Sequence, residues 1–140
     1  MITVISAYRV SQSNLTLGKD TTYNQQYRPS RCQGHLNPEP KIQFIHDLIH
    51  TVKVNKHDGE VLVMLDANTI LTEKHTTKLL NHTEMYDVMG YKHTTHTPNT
   101  YLRGSKTINF ILATRTLLPT IKQAGILIFK DGIQSNHRGL

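Results

Sequence analysis

Four short polar segments stand beside apolar runs and hold the residue types needed for chemistry on an anionic ester. They are Tyr8-Arg9, Asp66-Ala67-Asn68, the stretch from Arg103 to Asn109, and Ser135-Asn136-His137-Arg138. Hydrolysis of a phosphodiester needs a base for water, donors or cations for the phosphoryl oxygens, and help for the leaving oxygen. Asp66 can serve as the base and Asn68 as a donor to a phosphoryl oxygen. His137 can donate as imidazolium or as neutral imidazole, and Tyr8 adds a phenolic donor. Arg103 and Arg138 are candidate clamps on phosphate, because a guanidinium matches an oxyanion with two parallel N–H donors. Plainer roles stand beside these. A strand-end aspartate is also a turn former or helix N-cap, and a histidine near a C-terminus is also a solvated residue.

The elements that must position these groups follow from periodicity. Ile2, Val4 and Ser6 alternate with Thr3, Ile5 and Ala7, which predicts a strand delivering Tyr8-Arg9 at its end. Residues 10–38 are polar, with Gly18, Pro29, Gly34 and Pro38, and predict a long surface excursion with a short helix over Tyr23–Tyr27 that Pro29 stops. From Pro40, the spacing of Ile42, Ile45, Leu48, Ile49 and Val52 predicts a helix closed by the Asp58-Gly59 turn. Glu60–Leu65 is apolar on both faces and predicts a central strand.

A second helix opens at Leu71-Thr72-Glu73 and buries Leu79 and Leu80; Met85, Val88 and Met89 predict a short packed segment. Residues 92–106 form a Thr/His/Asn-rich loop. Thr107–Ala113 predicts a strand, Thr116–Gln123 a short helix and Ile126–Phe129 a last strand. Alternating strands and helices define an α/β order in a single unit over residues 1–140.

Composition bounds the partners. Sixteen Lys+Arg against ten Asp+Glu give a net charge of +6, which suits a polyanion such as nucleic acid. Lone Cys32 makes an intramolecular disulfide impossible and fits a reducing compartment. The chain has no apolar run of about 20 residues and no signal-peptide pattern at Met1–Ser6, so the expected location is intracellular, cytoplasmic or nuclear, with no membrane contact. His46 and His50, at i and i+4, lack the intervening glutamate and third ligand of a zinc site and read as solvated.

Taken in order, Ala7-Tyr8-Arg9, Leu65-Asp66-Ala67-Asn68, Arg103 through Phe110 and Ser135-Asn136-His137-Arg138 resemble the endonuclease/exonuclease/phosphatase superfamily. The phrasing around Thr22-Tyr23-Asn24-Gln25-Gln26 is similar to its retrotransposon members, those linked to reverse transcriptases. The resemblance implies a two-sheet α/β sandwich of which this chain is roughly the second half. It implies a magnesium-dependent phosphodiesterase cutting DNA, with its metal glutamate in the missing first half, and as partners that N-terminal half or a reverse transcriptase domain in a longer polyprotein. Tyr8 would contact the scissile phosphate, Asp66 would orient or deprotonate water, Asn68 would hold phosphate and Asp66, and His137 would stabilise phosphoryl oxygens.

Two positions depart from that pattern. The strand residue that supports the histidine is Asn109, and the aspartate of the Ser-Asp-His signature is Asn136, each a single G-to-A change from aspartate. Asparagine keeps the shape and removes the charge. Asn136 would be a weak ligand for a hard cation, and Asn109 cannot stabilise an imidazolium. In a serine-protease triad the equivalent change lowers turnover by about 10⁴. The expectation is therefore an inactive relative, with a non-cutting basic nucleic-acid-binding module or a retroelement remnant without selected function as the alternatives.

Overall fold

The computed structural model describes residues 1–11, 21–93 and 98–127. Its elements are strand β1 (Ile2–Tyr8), helices α1 (Thr22–Cys32) and α2 (Pro40–Lys56), strand β2 (Glu60–Asp66), helix α3 (Lys74–Thr83), strand β3 (Met85–Asp87), helix α4 (Val88–Lys92) and strand β4 (Asn109–Thr114), followed by a 3-10 turn at Leu118–Thr120. The strands form one mixed sheet in the order β1-β2-β4-β3. Strands β1 and β2 run parallel, whereas β4 is antiparallel to both β2 and β3. The chain is thus α/β, with a single four-stranded sheet among the described residues.

Helix α2 forms as its spacing predicts. Pro40 occupies the first turn, where its missing N–H is harmless, and Ile45, Leu48 and Val52 fall on one buried stripe. That stripe packs on Val61, Val63 and Leu65 of β2, together with Leu79, Met85, Phe110 and Leu112. Burying such side chains contributes about 1.5–3 kcal/mol each, so this cluster dominates the stability of the sheet. Gly59 joins α2 to β2 at φ +150°, where a Cβ would collide with the Met1 carbonyl oxygen. Helix α3 is capped by Glu73, whose carboxylate accepts from the N–H groups of His75 and Thr76.

Helix α1 differs from the expectation that Pro29 stops it, for it continues through Pro29 to Cys32. The Ser30 hydroxyl donates to the Gln26 carbonyl at 3.1 Å, Tyr23 stacks on Tyr27, and Arg31 donates to the Tyr27 hydroxyl at 3.2 Å. This side-chain ladder bridges the turn that proline weakens. The helix expected over Thr116–Gln123 is only the 3-10 turn at Leu118–Thr120: Pro119 sits within it, and Leu117 and Leu118 are drawn into a second apolar cluster. Ile126 and Leu127 carry no strand, and the rest of that expected strand lies outside the described residues.

The two faces of the sheet are unequal. Helices α2 and α3 cover one. On the other, Leu62, Ile111 and Ala113 pack with Val88, Leu117 and Leu118. Beyond that cover the same face stays open over β1 and part of β2, where Ile2 is 58% exposed, Val4 56% and Met64 45%.

Candidate functional site

Parallel strands β1 and β2 end together, and antiparallel β4 begins where they end. The register pairs Tyr8 with Asp66 and Asp66 with Asn109, so three residues from three adjacent strands stand side by side at one sheet end. Neighbouring strands lie about 4.8 Å apart, and residues in register project to the same face. Leu65 and Phe110 point into the core, so Tyr8, Asp66 and Asn109 take the opposite face, which is open beside β1. Tyr8 is 49% exposed there, and Asp66 and Asn109 are half-buried.

Short hydrogen bonds tie the three strand ends together. The Arg9 N–H donates to the Asp66 carbonyl at 2.8 Å, and the Ala67 N–H donates to the Ile108 carbonyl at 2.9 Å. Asp66 Oδ1 accepts the Asn68 N–H at 3.2 Å, which makes Asp66 a turn former as well as an acid. Asn68 has φ +49°, a left-handed conformation that asparagine tolerates better than most residues. Its side-chain amide donates to the Arg9 carbonyl at 2.6 Å. Asn68 therefore serves as a strut between the ends of β1 and β2, a role that its place after an Asp-x pair does not announce.

The loop entering β4 has a buried footing that motif reading missed. Thr100 is fully buried, and its Oγ1 accepts the N–H groups of Ile108 at 2.9 Å and Asn109 at 3.0 Å. The Asn99 amide donates to the carbonyls of Tyr101 at 3.0 Å and Gly104 at 2.8 Å, and the Thr107 hydroxyl donates to the Pro98 carbonyl at 2.7 Å. Arg103 is exposed in the turn so closed. His137, Arg138 and Asn136 lie outside the described residues. His46 and His50 are both exposed on α2, and His46 Nε2 lies 3.2 Å from Lys78 Nζ.

Beside Asp66, the residues in register are a phenol and an amide, and no group of three or more metal-ligating side chains occurs among the described residues. A hard divalent cation prefers several anionic oxygens. Among the described residues this row offers a hard cation one carboxylate, that of Asp66.

Two carboxyls away from this end are perturbed. Glu60, at the start of β2, accepts from the hydroxyls of Thr114 and Thr116, in that order of effect, and these hold its carboxyl below the usual range. Burial pushes the Asp87 carboxyl up, against the N–H groups of Gly90 and Met89 that it caps.

No protein-family model and no curated protein sequence matches this chain.

Proposed function

We propose that the chain carries roughly the second half of an endonuclease/exonuclease/phosphatase-like domain, which holds a nucleic-acid phosphodiester without cutting it. One observation carries the reading: Tyr8, Asp66 and Asn109 stand in lateral register at a single sheet end. A phosphodiester at this level meets the Tyr8 phenol and the Asn109 amide as neutral donors, with the Asp66 carboxylate where a water would be oriented. Only one acid remains in that row, and the second donor is an amide where the resemblance implies an acid. Among the described residues the row thus lacks a second carboxylate to support an imidazolium or a cation, and with it stabilisation for developing charge on the reacting oxygens. The net charge of +6 favours DNA as the polyanion. The open apolar face over β1 and β2 is where the second sheet of such a sandwich would pack, which supports the finer fold assignment.

A plasmid-nicking assay with Mg²⁺ tests the reading, run beside a binding titration on the same preparation. The expected result is salt-dependent binding without nicking. Metal-dependent nicking by the unaltered chain would overturn it. The double change Asn109→Asp with Asn136→Asp restores the acids that the resemblance implies, and any gain in nicking will appear there first.

A further inference from the structure

Past the end of β1 the chain turns Arg9 away from the open face into a separate cleft of about 510 Å³, formed with Tyr23 of α1, Glu39 and Lys41 at the start of α2, and Glu73 and His75 at the start of α3. The Arg9 side chain is only 7% exposed, and its Nε has no hydrogen-bond partner among the described residues. Among the described residues its one ionic neighbour is Glu73, at 3.8 Å from the nearer guanidinium nitrogen, longer than a hydrogen bond. That carboxylate is already committed, for Glu73 Oε2 accepts the N–H groups of His75 at 3.1 Å and Thr76 at 3.4 Å. Its other oxygen lies 4.0 Å from His75 Nε2.

The cleft therefore has more donor capacity than acceptors. Burial and the Arg9 guanidinium both push the Lys41 ammonium down, while Glu73 pulls it back up, so two cations repel each other across the cleft. Burial, and then Glu39 and Tyr27, hold the Tyr23 phenol up, which keeps it a protonated donor. Glu39 is exposed, and water screens its charge. An oxyanion placed between Arg9 and Lys41 would give the guanidinium an ionic partner within hydrogen-bond distance, which Glu73 at 3.8 Å is not, and would relieve the repulsion.

We propose that this cleft is an anion site that takes a phosphate group, held by Arg9, Lys41 and the Tyr23 hydroxyl, with His75 as a fourth donor. The group can arrive as free phosphate or as a phosphate of a nucleic-acid strand, since both present the same tetrahedral oxygens. The site stands apart from the row at Tyr8, Asp66 and Asn109, which uses the other face of the sheet, and it does not depend on that row binding DNA.

The test is a titration of the full chain with inorganic phosphate at constant ionic strength, followed by backbone amide shifts. Saturable shifts are expected at Lys41, Glu73 and His75, with affinity in the millimolar range or tighter. Lys41→Gln, at a half-buried position in the first turn of α2, keeps the helix and should weaken phosphate about tenfold, with circular dichroism unchanged. Arg9→Lys is a second variant, and it should weaken phosphate further where it folds. Absence of saturation, or saturation that Lys41→Gln leaves unaltered, would overturn the proposal. Competition between phosphate and a short DNA duplex for the same amides identifies a strand phosphate as the source; phosphate shifts that the duplex leaves untouched identify the free anion.

Discussion

Asp66 lies directly opposite Asn109 across the antiparallel β2–β4 pair, so an acid faces an amide at the end of the sheet where β1 also delivers Tyr8. The row has the shape of a polar site and carries one described charge. Backbone pairing sets its register, and the side chains of Thr100 and Asn68 brace the strand ends around it, which makes the supporting turns and loops the first place to probe.

Asn68 should prove costly to change. Asn68→Ala loses both the left-handed tolerance of asparagine and the amide bond to the Arg9 carbonyl, for a total of about 1.5–3 kcal/mol in urea unfolding. Asn68→Gly restores the backbone freedom and should recover about half of that loss. Equal losses in the two variants would show that the backbone conformation contributes nothing.

Thr100 is the buried acceptor for two N–H groups at the entry to β4. Thr100→Val keeps the shape and strands both donors, so about 2–4 kcal/mol of stability should be lost, whereas Thr100→Ser should lose about 1 kcal/mol. Denaturant midpoints for the two variants check this directly.

Val4 and Met64 sit on the open face of the sheet, about half exposed. Val4→Thr and Met64→Gln should change stability by less than about 0.5 kcal/mol. The same pair should reduce concentration-dependent association in light scattering, because exposed apolar surface beside a strand edge promotes it.

Glu60 and Asp87 should act oppositely on acid stability. The folded Glu60 carboxyl is lowered, so its contribution is complete above the unfolded value of about 4.3 and is lost as pH falls through the folded value. The folded Asp87 carboxyl is raised, so its effect favours the native state in acid and fades as pH rises from about 3.9 through the folded value. Glu60→Gln should therefore flatten the loss on acidification. Asp87→Asn, which still caps α4, should gain relative to wild type at about pH 7 compared with about pH 3. Urea midpoints at the two pH values read both signs.

Strand β2 and helix α2 were legible in the sequence because burial alone dictates them: an apolar run bounded by Asp58-Gly59, and a 3.6-residue apolar stripe after Pro40. Helix α1 continues past Pro29 because side-chain ladders, which only the formed helix brings together, offset the local proline cost that the sequence displays. The expected helix over Thr116–Gln123 failed for the opposite reason, since tertiary burial of Leu117 and Leu118 overrode a weak local pattern. Tyr8, Asp66 and Asn109 could each be picked out as strand-end residues. Their common level could not, because a two-residue period sets which face a residue takes and says nothing about its partner strand. The Arg9 cleft was invisible for a related reason: its groups come from β1, α1, α2 and α3.

The most direct test of the account is the DNA affinity of Asp66→Asn, measured by fluorescence anisotropy at fixed salt against the unaltered chain. Asparagine keeps an acceptor for the Asn68 N–H and removes the one described charge from the row. If a phosphodiester sits there, it is repelled by the Asp66 carboxylate, and the substitution should tighten binding about threefold to tenfold. Unchanged or weaker binding by a folded Asp66→Asn chain would contradict the account, because DNA would then lie elsewhere on the surface.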